Sequence, residues 1–271
     1  MAGLSIFAGA KAMSECITHQ TFGLGQTRVF ILSPVMPVWD EGGFAQPLIE
    51  HFIKAGHQIT VFDSLSLPVK PGEDFGEFAR RWAQVLEPWG TPQLLVGVAL
   101  GGALAQELAG GSYLSATPAL LLLSSPAKAD ALLDSRLGLM ADLAEAGQVD
   151  EAKRLLDDLV LPEGQKAVRS DQPVSEGNVS VAIQGLRLTV GFRLLAGLDI
   201  SERLLHYKGR VLSVYGEKSQ LVGAQHVPPV FTVNQCSVCV PNGGMRPLAD
   251  DLPRVLEHID RFLNVAAGTD R

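Results

Sequence analysis

The sequence predicts an α/β fold, a mostly parallel sheet with helices on both faces and a helical insertion. Short β-branched and leucine-rich runs alternate with stretches of helical apolar period, which is typical of parallel strands buried on both faces. The alternation stops between residues 127 and 207, where the pattern is helical, and strands resume beyond it. The chain has 271 residues, 46% of them hydrophobic, so it is long enough for one large core and too apolar to be disordered.

The elements follow one another in a regular order. Strands are predicted at 28–34, 58–63, 93–99, 118–125, 210–215 and 232–240. Helices are predicted at 45–55, 75–86, 103–109 and 252–263, and the last is amphipathic because its apolar residues recur at helical spacing. The strands on both sides of the insertion belong to one sheet, so the insertion is not an independent domain.

Residues 127–207 are interpreted as a helical cap. Residues 129–160 place leucines among charged residues, whereas residues 179–198 are much more apolar and carry only Arg187 and Arg193 as charges. So apolar a run needs a surface to bury against, and open α/β sheets place their sites at the carboxyl ends of the strands. We therefore expect a lid over that edge; the other interpretation is additional cover for the sheet.

The remaining boundaries follow from this placement. The predicted core comprises residues 28–126 and 208–264, with an N-terminal extension at 1–27 and a C-terminal tail at 265–271.

Charge and composition exclude several kinds of partner. The formal net charge is −7 and there is no run rich in lysine and arginine, which argues against nucleic acid. No apolar run approaches the length of roughly 18 residues that a membrane span needs. No phosphate loop, dinucleotide fingerprint or cluster of metal ligands is visible, so neither a cofactor nor a metal is predicted.

Three cysteines are an odd count, which fits a reducing compartment, and residues 4–10 lack the basic segment of a signal peptide. A cytoplasmic protein is therefore expected. Cys236 and Cys239 match C-x-x-C, but residues three apart on a strand face opposite sides of a sheet, so the pair is interpreted as core packing. The third cysteine is Cys16.

The most informative segment runs from residue 95 to 109 and reads LVGVALGGALAQELA. A buried strand ends in a glycine-flanked turn that opens a helix of small residues. The sequence Gly97-Val98-Ala99-Leu100-Gly101 resembles the nucleophile elbow of the α/β-hydrolase superfamily, whose pattern is G-x-S-x-G, with alanine in place of serine. Asp63 stands where the superfamily has its D-x-x-G segment after a strand. Residues 199–222 and 240–263 are similar to its acid loop, histidine loop and closing helix, so the resemblance covers about residues 28–264.

The resemblance implies that all three catalytic positions are substituted. The nucleophile position falls on Ala99, the acid position on Ser219 and the histidine position on Met245, within the segment PNGGMRP. Some thioesterase-like members place the acid after an earlier strand, where this sequence has Ser124 and Ser125. Serine attack needs a base to take its proton and an acid to hold that base, so this chemistry is missing.

The resemblance also implies an oxyanion hole made of backbone amides, which can outlast the triad. One donor would be the amide of Leu100, and the other would lie near Val35 or Met36.

Three functions remain open. In the first, a pseudoenzyme binds a hydrophobic carbonyl compound under the cap, such as an acyl or polyketide chain, free or attached to a carrier. Its site residues are Val35, Met36, Ala99, Leu100, Ser124, His226 and Met245.

In the second, a cyclase, lyase or isomerase of a biosynthetic pathway uses the same cavity, with Ser124, Ser219, His226 and Asp63 as polar groups. In the third, Ala99 replaces the nucleophilic serine of an esterase or thioesterase, which requires His226 as the base. A scaffold role through the apolar face of the cap is a further alternative.

Overall fold

A seven-stranded sheet forms the centre of the protein in the computed structural model, which describes residues 17–111, 113–167 and 179–264. The strand order is β1-β3-β2-β4-β5-β6-β7. β1 pairs with β3 in antiparallel orientation, and all other neighbours are parallel. The strands are β1 (His19–Phe22), β2 (Thr27–Leu32), β3 (His57–Phe62), β4 (Leu94–Val98), β5 (Ala119–Leu123), β6 (Arg210–Gly216) and β7 (Gln235–Val240).

Helices cover both faces of the sheet, as the alternating pattern predicts. α1 and α8 bury their apolar residues against one face, and α2, α3 and the cap bury theirs against the other. The helices are α1 (Gln46–Lys54), α2 (Phe75–Leu86), α3 (Leu100–Gly110), α4 (Ala131–Glu145), α5 (Val149–Leu159), α6 (Val181–Arg193), α7 (Pro247–Asp250) and α8 (Leu252–Asn264).

Helix α2 shows why these segments fold as they do. Asp74 accepts a hydrogen bond from the N–H of Glu77, and the Glu77 side chain reaches back to the N–H of Asp74, which forms a complete capping box. Phe78, Trp82 and Leu86 lie four residues apart on one face and are fully buried or nearly so. The helix therefore has both a defined start and a defined buried face.

Helices α4, α5 and α6 form the cap between β5 and β6. The cap is closed at its base, where Lys128 and Asp199 form an isolated antiparallel bridge and their side chains lie 2.8 Å apart. The helical pattern of residues 129–160 is not one helix: Gly147, with φ of 79°, separates α4 from α5, because glycine adopts this left-handed backbone without strain. α6 is shorter than the apolar run 179–198 that predicts it.

Two sequence predictions need correction. Residues 1–27 are not wholly an extension, because β1 lies within them and forms an edge strand. Three of its four residues are polar, so it gives little strand signal. Cys236 and Cys239 are not core residues, because both are exposed on the edge strand β7. Desolvation raises the pKa of both thiols above the ordinary value, so neither is an activated thiolate.

The predictions for residues 4–10, Cys16 and the tail 265–271 fall outside the described residues, as does part of the polar segment between α5 and α6. Within the described ranges, every helix is too short or too polar to cross a bilayer.

Candidate functional site

A cavity of about 580 Å³ lies at the carboxyl edge of the sheet, under the cap. Its volume falls in the range of roughly 300–1,000 Å³ that small-molecule sites occupy. Loops that follow β2, β4, β5, β6 and β7 form its floor, and all three cap helices or their ends form its roof. The floor residues include Pro34, Val35, Met36, Val98, Ala99, Leu123, Leu221, Val222 and Met245. The roof residues include Leu133, Leu137, Leu156, Val160, Phe192 and Leu195.

Three of the four charged lining residues are exposed, and the fourth, Lys153, is half-buried with its ammonium group 3.3 Å from the carboxylate of Asp150. Asp40, Asp157 and Arg246 are exposed to solvent, whereas the leucines of the cap roof are buried or half-buried. The carboxylate of Asp40 accepts hydrogen bonds from the N–H groups of Gly42 and Phe44, so it shapes its own loop. The interior of the cavity is therefore apolar, with charged groups near solvent.

Ala99 occupies a strained turn between β4 and α3. Its backbone has φ of 48° and ψ of −112°, a left-handed conformation that an L-residue rarely adopts and that costs about 1–3 kcal/mol. The surrounding structure holds it there. The Ala99 N–H donates to the carbonyl of Leu123 at 3.1 Å, and the Ala99 carbonyl accepts from the N–H groups of Gly102 and Ala103. The methyl group of Ala99 lines the cavity.

Three glycines allow this turn to fit between strand and helix. A Cβ on Gly97 would lie 2.3 Å from the Cα of Gly102, and a Cβ on Gly101 would lie 2.2 Å from the carbonyl oxygen of Leu32. A Cβ on Gly102 would lie 1.6 Å from the hydroxyl oxygen of Ser125. The glycines of the motif are therefore required by close contact of backbone and neighbouring strands.

Ser219 and Met245 come together beside the cavity, as the resemblance implies for the acid and histidine positions. The Oγ of Ser219 lies 3.8 Å from the Sδ of Met245 and donates a weak hydrogen bond to it. The Met245 N–H donates to the carbonyl of Val160 at 2.9 Å, which ties this loop to the cap. The preceding Gly244 N–H donates to the carboxylate of Asp250 at 2.8 Å.

The predicted amide donors are placed differently, because Leu100 is not part of the cavity lining. Leu100 has a fully buried side chain and is the first residue of α3, so its N–H belongs to the four that a helix leaves without an intrahelical acceptor. Val35 and Met36 both line the cavity. The Met36 carbonyl accepts a hydrogen bond of 3.0 Å from Nε of Arg187 on α6, a contact that sequence patterns do not predict.

His226 lies outside the cavity lining. Its Nδ1 accepts the N–H of Gly223 at 3.1 Å, so in the neutral ring the proton is on Nε2, which lies 3.1 Å from a carboxylate oxygen of Asp130. Asp130 is also the N-cap of α4 and accepts the N–H of Leu133. That N–H and the nearby His226 ring hold the pKa of Asp130 below its ordinary value. The pair supports the start of the cap.

The other predicted polar groups are also outside the lining. Ser124 is fully buried, has φ of 46°, and its hydroxyl has no partner among the described residues. Ser125 donates its hydroxyl hydrogen to the carbonyl of Gly97 or Leu123, at 3.1 and 3.2 Å. Asp63 is buried in an ion pair with Arg187. The cavity lining thus includes Val35, Met36, Ala99 and Met245, whereas Leu100, Ser124, Ser219, His226 and Asp63 lie outside it, contrary to the prediction.

A second, larger groove of about 1,270 Å³ lies elsewhere, between the start of α2, the end of α3 and residues 193–206. It is wide open, and several of its charged groups already pair with one another, including Lys128 with Asp199 and Arg203 with Glu107. None of the turns at the carboxyl ends of β2, β4 and β7 lines it. We therefore take the smaller, apolar cavity beside Ala99 as the candidate site.

Structural comparison identifies the architecture. A bromoperoxidase from Bacillus anthracis superposes with a TM-score of 0.70 at 15% identity, over 92% of this chain and 95% of that chain. MGS-M2, an α/β hydrolase from a Medee basin deep-sea metagenome library, gives 0.68 at 14% identity, over 92% and 94%. The esterase EaEST from Exiguobacterium antarcticum gives 0.68 at 12% identity, over 92% and 95%. This chain has the α/β-hydrolase fold. At such identities the likeness shows the fold alone.

The sequence itself matches no protein-family model, and no curated protein matches it. The assignment to the α/β-hydrolase fold therefore rests on the structure, which agrees with the resemblance seen in the sequence. Within the described part of the chain, no three side chains among His, Cys, Asp and Glu come together as a metal site.

Sequence patterns missed the roof of the cavity and the pair of Arg187 and Asp63. Helical periodicity marks Leu133, Leu137 and Phe192 as apolar but does not say which surface they face. One signal was available for the ion pair: a single arginine in the middle of an apolar run needs a buried acidic partner or an exit to solvent.

We expect Gly101→Ala to lower the free energy of unfolding by about 1–3 kcal/mol. Its new methyl group would clash with the backbone carbonyls of Leu32 and Ser33, which can move less easily than a side chain. Gly138→Ala is the matched control: it lies inside α4 with nothing within 4 Å, so it should raise that free energy by about 0.5–1 kcal/mol. Urea unfolding followed by circular dichroism measures both. Equal effects would contradict the close-contact account of the turn.

Proposed function

We propose that this protein binds a hydrophobic carbonyl compound in the cavity under its cap and does not hydrolyse it. The observation that carries the proposal is the side chain at the strained turn. The backbone there presents residue 99 to the cavity, and residue 99 is an alanine with no atom that can attack a carbonyl. The ligand class we propose is an acyl or polyketide chain, free or attached to a carrier, in the cytoplasm.

The neighbours of Ala99 support binding without a proton relay. If Ser219 and Met245 correspond to the acid and the histidine of a catalytic triad, their contact is the contact that those two residues would make. A thioether cannot take a proton at neutral pH, and a serine hydroxyl cannot stabilise a charged base as a carboxylate does. A bound ester at Ala99 would therefore meet neither a nucleophile nor a general base.

The cavity offers a favourable environment for an apolar chain. Burying about 200 Å² of apolar ligand surface contributes roughly 5 kcal/mol before the entropic cost of binding. At one end of the cavity, the N-terminus of α3 and the amide of Leu100 favour the negative end of a carbonyl dipole. These two features select a molecule with a long apolar part and one carbonyl or carboxylate group.

A non-hydrolytic enzyme, such as a cyclase, lyase or isomerase, is the second candidate. The strain at Ala99 favours it, because Ala99 is the N-cap of α3 and lines the cavity, so the N-terminus of α3 is available there to stabilise an enolate or alkoxide. Such an enzyme would rely on shape and backbone donors. Asp63, Ser219 and His226 are engaged elsewhere, and neither they nor Ser124 line the cavity.

The hydrolase with a replaced serine has the least support. It needs a base beside residue 99, and the histidine proposed for that role, His226, contacts Asp130 instead and is outside the cavity lining.

We expect Ala99→Ser alone to remain inactive toward p-nitrophenyl butyrate and acyl thioesters. The new hydroxyl would lie at the strained turn, but it would keep its proton because no imidazole is available to accept it. Release of p-nitrophenol by Ala99→Ser above the rate of the unchanged protein, and not by Ala99→Gly, would support the replaced hydrolase instead.

The binding proposal predicts a bulky substitution that blocks the cavity. Leu156 lines the roof on α5, while its neighbour Leu155 is also half-buried but is not part of the lining. We expect Leu156→Trp to weaken binding of Nile red, an uncharged fluorescent probe, by about tenfold or more, because the indole would occupy the ligand's space. Leu155→Trp should change the affinity by less than about twofold.

Native mass spectrometry of the purified protein gives the second readout. The proposal predicts an added mass of an acyl-like compound that disappears in Leu156→Trp and persists in Leu155→Trp. Absence of both probe binding and retained mass in the unchanged, folded protein would contradict the proposed function.

A further inference from the structure

One buried arginine joins the cap to the floor of the cavity. Arg187 lies in the middle of α6, and its side chain is only 14% exposed. Its guanidinium makes two parallel hydrogen bonds to the carboxylate of Asp63, Nη1 to Oδ2 at 3.0 Å and Nη2 to Oδ1 at 2.8 Å. Its third donor, Nε, reaches the carbonyl of Met36 at 3.0 Å. A single side chain of the cap thus binds both the end of β3 and the loop after β2.

The partner carboxylate is a rigid anchor. The Asp63 side chain is 3% exposed and also accepts the N–H of Leu65, while the Asp63 backbone N–H donates to the carbonyl of Thr18. The Asp63 carbonyl accepts the hydroxyl and the N–H of Ser66. These four hydrogen bonds fix Asp63, so a movement of α6 relative to the sheet must break the bonds between Arg187 and Asp63.

The contact with the β2–α1 loop bears directly on the cavity. Met36 and Val35 both line it, and α6 packs against Val35 one turn beyond Arg187. At Gly191 an added Cβ would lie 2.8 Å from both methyl groups of Val35, so the backbone of α6 packs directly against the Val35 side chain. The bond from Arg187 and the contact at Gly191 hold the same two-residue segment from the same helix.

We propose that Arg187 is a positioning residue, which holds the Val35–Met36 wall of the cavity in its binding geometry and ties that geometry to the closed position of the cap. This inference rests on the proposed binding function for its consequence, though not for its geometry. Lysine cannot replace this arginine. The guanidinium has fixed, planar donors that bind both oxygens of the Asp63 carboxylate and a carbonyl on another loop, whereas a single ammonium group cannot make all three bonds.

A second arginine on the same helix provides the matched control. Arg193 is 47% exposed, and its ion pairs with described residues are both within the cap, to Asp142 at 2.5 Å and Glu145 at 3.0 Å. It therefore stabilises the packing of α6 against α4 without touching the floor of the cavity. Arg187→Met would leave the Asp63 carboxylate buried without its cation and could unfold the protein, so Arg187→Lys, which retains the charge, is the informative variant.

The experiment compares Arg187→Lys with Arg193→Lys by amide hydrogen exchange and Nile red titration. In Arg187→Lys we expect exchange at residues 35–44 to rise about tenfold, which corresponds to loss of one charge-assisted hydrogen bond, while exchange in β4 stays unchanged. Nile red binding should weaken by about threefold or more. Arg193→Lys should leave both the loop exchange and the affinity within about twofold of the unchanged protein.

Two results would overturn the inference: unchanged exchange at residues 35–44 in Arg187→Lys, or an equal increase in Arg193→Lys. A uniform rise in exchange that includes β4 would also overturn it, because it would mean that Arg187 only stabilises the fold. If the unchanged protein neither binds Nile red nor retains an acyl-like mass, the proposed function fails, while the exchange comparison still decides whether Arg187 positions the loop.

Discussion

The left-handed backbone at Ala99 is the constraint on which the candidate site depends. It places residue 99, the N-cap of α3, in the cavity lining at the carboxyl edge of the sheet. The turn exists because the flanking positions have no side chain: Gly97, Gly101 and Gly102 each face atoms closer than a Cβ could tolerate. This geometry consists of backbone, so it does not require a serine at residue 99.

The proposed function depends on separating backbone from side-chain chemistry. Helix dipole, amide donors and cavity shape are properties of the fold, and they persist with alanine, serine and methionine at residues 99, 219 and 245. Nucleophilic attack and proton transfer are properties of particular side chains, and alanine and methionine supply neither. The changes also make the cavity floor more apolar, which favours retention of a hydrophobic ligand.

Local patterns predicted most of the sheet and the central turn. Each strand except β1 and β7 produces a run of buried apolar residues. The glycine spacing at residues 97–102 reflects one local contact, between Gly97 and Gly102, and close approach to residues 32 and 125, which lie far away in sequence. The resemblance assigned the acid and histidine positions to Ser219 and Met245 without predicting a contact, and the structure brings the two side chains within 3.8 Å of each other. The alternating pattern did not identify β1, which is short and polar. It predicted β7 as a strand but not the exposure of both cysteines, which follows from the position of β7 at the edge of the sheet.

What depends on long-range packing could not be predicted. His226 looked available as a base because nothing in the sequence links it to Asp130, 96 residues earlier. The hydrogen bond between Arg187 and Met36 joins residues that are 151 positions apart. The cavity roof depends on how the three cap helices pack against the sheet. Periodicity identifies which side of a helix is buried, but the surface it meets is decided by the fold as a whole.

The central claim is that residues 99, 219 and 245 occupy triad positions whose chemistry is missing. The direct test is the hydrolysis rate of p-nitrophenyl butyrate by the triple variant Ala99→Ser, Ser219→Asp, Met245→His, compared with each single variant. The account predicts a rate at least about 10²-fold above every single variant, because nucleophile, base and acid act only as a unit. A correctly folded triple variant no faster than Ala99→Ser would contradict it.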